Sequence, residues 1–167
     1  RPEYLRLARM AEELHIRPVL ALTATATPEV AADIRAAFGI AEADQVQTSF
    51  LRPNLRYAIT PVAAGRRLAM LVERLRGAPG PAVVYVTLQH TAETVATALQ
   101  KAGLRARAYH AGLTAEHRGE AQDAFMTGAV EVIVATIAFG MGIDKADIRA
   151  VYHFNMPKTL ENYQQET

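Results

Sequence analysis

The chain has 167 residues, of which half are hydrophobic and none is cysteine, and its formal net charge is +1. This length suffices for one domain, or for one domain and part of another. The lack of cysteine excludes disulfides and cysteine-based metal sites, and five scattered histidines give no reason to expect zinc or another metal. No apolar run reaches membrane-spanning length and no signal peptide is apparent, so we expect a cytoplasmic protein without a membrane partner. A near-neutral charge means that any polyanion binding has to be local.

The first 49 residues predict two helices and two short strands. Apolar residues three and four positions apart indicate an amphipathic helix. Further on, Thr27 is a favourable N-cap before Pro28 at the first helical position, and Gly39 is suited to ending that helix. The predicted elements are, in order, a helix at 1–14, a strand at 19–22, a helix from Thr27 to Gly39 and a strand at 45–48.

A segment without regular periodicity follows at 49–55, where the sequence reads SFLRPNL. Pro53 disfavours helical structure immediately before it, so we place a boundary here, with 1–49 in one unit and 50–167 in the next. The later predicted strands lie at 56–60, 82–86, 105–109, 131–135 and 148–154. Three helices end at Gly77, Gly103 and Gly128, and a last helix begins at about Thr159. The helix that ends at Gly103 is capped near Thr91, and the one that ends at Gly128 is capped by Thr114. This alternation predicts an α/β fold with a parallel sheet and helices on both faces.

Polar residues follow three of the predicted strands. Thr87 comes after the strand at 82–86, His110 and Gly112 follow the next strand, and Thr136 follows the one after that. Each has an ordinary structural explanation, such as a helix cap for Thr87 or a half-exposed turn residue for His110. Because the carboxyl ends of parallel strands meet at one edge, hydroxyls, an imidazole and backbone N–H groups together suit a row of phosphates.

A glycine-spaced turn with the sequence FGMGID follows the strand at 131–135. Gly140 and Gly142 fit either a tight connection between strands or a close approach of backbone to a ligand, with Asp144 accepting from a sugar hydroxyl. A dinucleotide-binding fingerprint is excluded, because Lys145 stands where the third glycine is needed and a strand follows instead of a helix. The sequence leaves the first two interpretations open.

Residues 135–145, with the sequence ATIAFGMGIDK, resemble motif V of the RecQ family of DNA helicases. Motif V is the most specific of the similarities, whereas motif III alone is weak. The others follow in the family's order: 22–26 (LTATA) resembles motif III, 49–55 the link into the second motor lobe, 84–87 (VYVT) motif IV, 109–113 (YHAGL) the segment after it and 163–167 (YQQET) the opening of motif VI. The resemblance therefore covers the whole chain.

The resemblance implies a two-lobed, ATP-driven motor that moves 3′ to 5′ on single-stranded DNA and opens duplex DNA. Residues 1–49 would be the C-terminal part of the first RecA-like lobe, and 50–167 the second RecA-like lobe, truncated within motif VI. Both lobes would hold DNA mainly by its backbone. By position, the resemblance assigns DNA contacts to Thr25, Thr87, His110, Gly112 and Thr136, nucleotide contacts to Gly142 and Asp144, and a place near the γ-phosphate to Gln165. Arg118, on the helix after the segment at 109–113, either braces that segment or lies on a solvated helix surface, and we favour the solvated surface.

Several family features are missing from this sequence. It contains neither G-x-x-x-x-G-K-[ST] nor Asp-Glu-x-His, it stops before the arginine-bearing half of motif VI, and Leu88-Gln89 replaces the common Ser-Arg pair. ATP and Mg²⁺ would therefore be bound mainly by parts of the parent protein outside this chain, with the remainder of lobe 1 as an intramolecular partner. Two alternatives stay open: a non-catalytic nucleic-acid-binding or interaction module with a helicase-lobe fold, and lobe 2 of an RNA helicase.

We expect the isolated 167-residue chain not to hydrolyse ATP at a helicase-like rate. Phosphoryl transfer needs a phosphate-binding lysine, a magnesium-binding acid and a positive charge near the transition state, and the sequence motifs that supply them are absent. Phosphate release measured with and without single-stranded DNA checks this expectation. Substantial DNA-stimulated turnover by the isolated chain would contradict it.

Overall fold

The computed structural model describes residues 2–23, 26–48, 52–78, 80–140, 143 and 145–166. The chain divides into two compact units, Arg1–Ala58 and Ile59–Thr167. Within the described residues, no helix is long and apolar enough to cross a bilayer. The same residues contain no cluster of three side chains suited to holding a metal ion.

The first unit contains two α-helices that pack together, α1 (Pro2–Glu13) and α2 (Pro28–Phe38), and a short 3-10 helix at Glu42–Asp44. The predicted cap of α2 is confirmed, because the Thr27 hydroxyl accepts from Val30 N at 3.3 Å. Gly39 ends the helix, also as predicted. Nη1 of Arg17 donates to the carbonyl of Phe38 at 2.8 Å and ties the connecting segment to the end of α2.

The strands predicted at 19–22, 45–48 and 56–60 are wrong, because the structure has irregular backbone at all three. Their apolar residues do not form a core: Leu20, Leu22, Val46 and Ile59 are all exposed. A short apolar run becomes a strand only where neighbouring strands satisfy its backbone groups. In the described part of residues 1–60 the structure contains no strand.

The second unit is built on one parallel sheet, as predicted. Its strands are β1 (Ala82–Tyr85), β2 (Ala106–Tyr109), β3 (Val132–Ala135) and β4 (Ala150–His153), in the spatial order β2-β3-β1-β4. Its helices are α3 (Arg67–Gly77), α4 (Gln89–Lys101), α5 (Ala115–Met126) and α6 (Leu160–Glu166), with a 3-10 turn at Ala64–Arg66. The α/β fold class is confirmed.

Helix starts were predicted with mixed success. The Thr114 hydroxyl caps α5 by accepting from His117 N at 3.2 Å, as expected. The cap predicted near Thr91 is wrong: α4 begins at Gln89 after Leu88, which makes no side-chain cap bond. A threonine is a good cap only where its own backbone is extended, and here the backbone is already helical at Thr91.

The two central strands are buried on both faces. Alternate residues of β1 and β3 pack against α3 and α4 on one side, where Val84, Leu99 and Val134 are inaccessible to solvent. The intervening residues pack against α5 on the other side, around Phe125 and Ile133. A strand buried on both faces is apolar along its whole length, so polar chemistry in this unit is confined to the ends of the strands.

Candidate functional site

The carboxyl ends of the four strands form one edge, which we call the carboxyl edge. Tyr85 and Tyr109 both lie opposite Ala135, and Tyr85 also lies opposite His153, so the strands end at the same level. The backbone pairing continues one residue further on three of them. Val86 N donates to the carbonyl of Ala135 at 2.8 Å, Thr136 N to that of Tyr109 at 3.2 Å and Phe154 N to that of Tyr85 at 2.9 Å.

This edge brings together most of the described residues that the sequence singled out. Thr87 and Gly112 are exposed there and Thr136 is partly exposed. The hydroxyls of Thr87 and Thr136 and the exposed backbone of the turn after β2 are groups that contact phosphate oxygens without reading bases. Thr25, Gly142 and Asp144 lie outside the described residues.

His110 lies at the predicted place but its side chain is buried, with only 3% of its surface exposed. Nε2 is 3.2 Å from Oε1 of Glu93 on α4. Neither ring nitrogen makes an aligned hydrogen bond within the described residues, so the approach to Glu93 is an ion-pair distance rather than a well-directed bond. The expectation of a half-exposed turn residue is wrong. A ligand on this edge would meet the backbone of the turn before the imidazole.

The turn that follows His110 is held tightly on two sides. A Cβ atom built on Gly112 would overlap Oε1 of Gln89 and would lie 3.1 Å from Nδ1 of His110. On the other side, Nη1 of Arg118 donates to the carbonyl of Leu113 at 2.8 Å. Glycine at 112 therefore lets the turn pack against the start of α4.

Arg118 braces this turn, and the expectation of a solvated helix surface is wrong. Its Nη1 also lies 3.4 Å from the carbonyl oxygen of Ala111. Turn carbonyls without sheet partners need donors, and an arginine one turn into the following helix is within reach of them. Bracing is the alternative for Arg118 that the sequence analysis did not favour.

The glycine turn after β3 begins on a firmly packed residue. Phe139 is buried and meets the rings of Tyr109 and Phe125 edge-on, with centroid distances of 4.9 Å and 5.9 Å. Phe139 N donates to the carbonyl of Thr136 at 3.0 Å. Gly140 follows with φ at 129°, a conformation that other residues rarely adopt.

Helix α6 supplies Gln165, whose side chain is exposed. The helix starts after Thr159, whose hydroxyl accepts from Asn162 N at 3.2 Å. The side chain of the next residue along α6, Glu166, is buried, with only 9% of it exposed. One end of α6 thus offers an amide to solvent and a carboxylate to the interior.

Three polar residues meet beneath α6, and the sequence reasoning missed them. Nε2 of His153 lies 3.1 Å from Oε2 of Glu166, although that nitrogen makes no hydrogen bond of good angle in the described part of the chain. The ring of Tyr85 stacks on His153 with centroids 5.8 Å apart. We call these residues the Tyr85–His153–Glu166 cluster. Each of the three residues is the last residue of its strand or helix, and this position is the one feature of the sequence that could have pointed to the cluster.

Burial sets the protonation of this cluster. It lowers the pKa of His153 and raises that of Glu166 from their ordinary values. The pKa of Tyr85 is raised to about 12, first by burial and then by the charge of Glu166. At neutral pH the imidazole is therefore neutral, and it has one N–H to donate.

Comparison with known proteins identifies the protein family to which the chain belongs. Residues 66–167 match the family model of the helicase conserved C-terminal domain, which is more than half of the chain, and the chain belongs to that family. The curated relatives narrow the likeness to RecQ-like helicases, as the sequence motifs indicated. RecQ-like DNA helicase blm-1 of Caenorhabditis elegans is 43% identical over 171 residues, which cover 100% of this chain and 17% of that protein.

Bacterial relatives give the same result. ATP-dependent DNA helicase RecQ of Pasteurella multocida is 38% identical over 168 residues, which cover 100% of this chain and 26% of that protein. RecQ of Bacillus subtilis is 40% identical over 168 residues, which cover 99% of this chain and 28% of the relative. The chain thus spans between 17% and 28% of the length of these relatives.

Solved structures share the fold. The E. coli DEAD-box protein SrmB matches with a TM-score of 0.58 and 27% identity, covering 62% of each chain. S. cerevisiae Dbp5 matches with a TM-score of 0.73 over 86% of this chain and 39% of that one. At 18% identity, the second likeness shows the fold alone.

We expect unit Ile59–Thr167 to lose stability on acidification through His153. A folded-state pKa below the ordinary 6.5 means that this contribution is present above pH 6.5 and is lost as the pH falls through the folded pKa. His153→Gln, which stays neutral, should flatten the fall in the free energy of unfolding between about pH 7.5 and 5.5, by at most about 1.4 kcal/mol per pH unit, and with it the fall in melting temperature. Thermal unfolding followed by circular dichroism measures this.

The groups that face His153 are Glu166 and Tyr163 on α6 and Tyr85 on β1. The raised pKa of Glu166 acts in the opposite direction, because its contribution is lost as the pH rises. Comparison of the two proteins at each pH separates the contribution of His153. Equal pH dependence in wild type and variant would contradict the prediction.

Proposed function

We propose that this chain is part of an ATP-dependent 3′–5′ DNA helicase of RecQ type, in which it binds the backbone of single-stranded DNA and contributes one side of the ATP cleft. The observation that carries the proposal is the common carboxyl edge. Thr87, Gly112 and Thr136 lie there at the ends of adjacent strands, in a chain whose curated relatives are RecQ-like helicases.

The chemistry of this edge favours backbone contacts. Two hydroxyls and a braced turn are suited to phosphate oxygens, and they carry no base-specific pattern. A motor that moves along any sequence needs contacts of this kind. We assign Thr87, Thr136 and the turn at Gly112 to the strand, with His110 acting from beneath that turn, and we extend the same role to Thr25 by family resemblance.

We propose that the nucleotide side of the edge is formed by Gly142, Asp144 and Gln165, with Asp144 near the ribose and Gln165 near the γ-phosphate. The exposure of Gln165 on α6 fits a contact with a ligand. Mg²⁺, when bound with the nucleotide, neutralises charge that develops on the phosphates. The lysine and the acid that hold ATP and the metal would come from the parent protein outside this chain.

The lobe assignment follows from the same proposal. Residues 1–49 would complete a first RecA-like lobe, and 50–167 would form most of the second. Helix α1 supports the first part, because its Leu7 and Met10 are about half exposed and an amphipathic helix needs a partner for its apolar face. The remainder of lobe 1 is the partner that we propose. The parent protein would be located with the DNA, in a bacterium at the nucleoid.

The test is ATP hydrolysis by the full-length protein that contains this chain. We expect single-stranded DNA to stimulate phosphate release by about tenfold or more, and a duplex with a 3′ single-stranded tail to be unwound while one with a 5′ tail is not. Stimulation by RNA alone would favour the RNA-helicase alternative, which the DEAD-box fold matches keep open. Nucleic-acid binding without ATP hydrolysis would favour the non-catalytic module.

We expect Gly112→Ala to weaken single-stranded DNA binding by the full-length protein by about three- to tenfold. The added methyl group would collide with Gln89, which can swing away, and would press on Nδ1 of His110, which is buried and cannot. The turn would therefore shift. Fluorescence anisotropy with a labelled oligonucleotide measures the affinity.

Gly119→Ala on α5 is the matched control, because a Cβ at Gly119 meets nothing within 4 Å. It should leave the affinity unchanged and stabilise the helix slightly. Equal affinities for the Gly112→Ala protein and the control would mean that the turn after β2 does not face the DNA.

A further inference from the structure

We infer that Tyr85, His153 and Glu166 are positioning residues that hold α6, and with it Gln165, against the start of the glycine turn. The effect on catalysis that we infer rests on the proposed function. The structural role of the three residues rests only on the contacts of their side chains. Tyr85 lies on β1, His153 ends β4 and Glu166 is on α6, so the cluster joins three elements that are distant in sequence.

The first link joins α6 to β4. A carboxylate with 9% of its side chain exposed needs a donor, and burial has already raised the pKa of Glu166. Nε2 of His153 is the group that the structure puts within 3.1 Å of it. The terminal torsion of a glutamate is soft, so a small rotation aligns the carboxylate with the N–H of the imidazole.

The second link holds the imidazole in place. The ring of His153 contacts two aromatic rings, with centroid distances of 5.8 Å to Tyr85 and 4.9 Å to Tyr163. Packing against two rings restricts rotation of the imidazole. Tyr163 belongs to α6, so the same histidine contacts this helix through both an aromatic ring and a carboxylate.

The third link reaches the glycine turn. The hydroxyl of Tyr85 donates to the carbonyl of Phe139 at 3.0 Å, in a buried hydrogen bond. A Cβ atom on Gly140 would lie 3.3 Å from that hydroxyl and 3.8 Å from the carbonyl oxygen of Gln165. The space into which a side chain at position 140 would project is therefore bounded by the Tyr85 hydroxyl on one strand and by the backbone of α6.

Together these links form a continuous path from Glu166 to Phe139. Under the proposed function, the turn that begins at Phe139 carries Gly142 and Asp144 on the nucleotide side, and α6 carries Gln165. A group that acts on a phosphate has to be placed within a fraction of an ångström. The cluster fixes the spacing of Gln165 and the turn without itself touching the nucleotide.

The experiment compares steady-state ATP hydrolysis by the full-length protein and its variants in the presence of single-stranded DNA. We expect Glu166→Ala to lower kcat about tenfold or more while KM for ATP changes less than about threefold, because position is lost and ground-state binding is kept. Glu166→Gln keeps an acceptor for His153 and should retain kcat within about threefold of wild type. Equal loss in both variants would overturn the inference.

Tyr85→Phe keeps the ring and removes the bond to Phe139, so we expect kcat to fall by about threefold or more. Two controls are matched to these changes. Tyr152→Phe alters a half-buried tyrosine beside His153 on β4, and Glu131→Gln alters a half-exposed carboxylate paired with Arg105 at the opposite end of the sheet. Both should hydrolyse ATP as wild type does, and a variant series in which the controls fall equally contradicts the inference.

Hydrogen exchange of the same proteins separates this inference from the proposed function. Glu166→Ala should raise exchange in the peptides that cover both 139–145 and 160–166, whereas Glu131→Gln should raise it in neither. If wild type does not hydrolyse ATP with DNA, the proposed function fails, and the exchange data still decide whether the cluster joins α6 to the turn. Faster exchange confined to 160–166 would overturn the joining role.

Discussion

The constraint on which the rest of this structure depends is the in-register pairing of four parallel strands, two of which are buried on both faces. Every side chain of β1 and β3 is nearly inaccessible to solvent. Such strands cannot carry polar groups along their length without a large desolvation cost. Because they start and end at common levels, the first polar residue after each strand lies at one edge, and the chemistry is concentrated there.

The two ends of this edge differ in how far their polar groups are exposed. Near β2 and β3, Thr136 is partly exposed and Gly112 is exposed, and Arg118 holds the turn at Gly112 through a hydrogen bond to Leu113. Near β4, the polar side chains of His153 and Glu166 turn inward. Accessible groups can exchange partners as a ligand moves, whereas buried ones hold a fixed geometry.

The sequence predicted those parts of the fold that local rules decide. The caps Thr27 and Thr114 act on residues three positions away, and both form as expected. The central strands β1 and β3 were found because their apolar runs face both sides of a sheet. The run at 19–22 has the same apolar character but no sheet to join within the described residues, and it stays irregular. Periodicity records that a segment can be a strand, not that a neighbour is present to pair with it.

For the candidate site, the sequence predicted which residues lie near one another more accurately than it predicted how their side chains are oriented. Parallel strands imply a shared edge, so the proximity of Thr87 and Thr136 followed from topology. The burial of His110 depends on Glu93 of α4, and the cluster under α6 joins Tyr85 with Glu166 across most of the unit. Nothing in the local sequence reports such contacts. The confirmed parts are therefore those that one element or one sheet determines.

Gly140 bears on the two interpretations of the glycine turn that the sequence leaves open. Its φ of 129° favours glycine on conformational grounds, and a Cβ atom there would lie 3.3 Å from the hydroxyl of Tyr85, which is a tight contact. A structural role therefore accounts for this glycine fully, with no ligand needed. The functional interpretation then concerns Gly142 and Asp144, which come after a residue that is already fixed in place. Under the proposed function, a backbone held firmly at Gly140 is suited to a close approach to a phosphate or a ribose further along the turn, and the interpretation as a binding turn then depends on Gly142 and Asp144 alone.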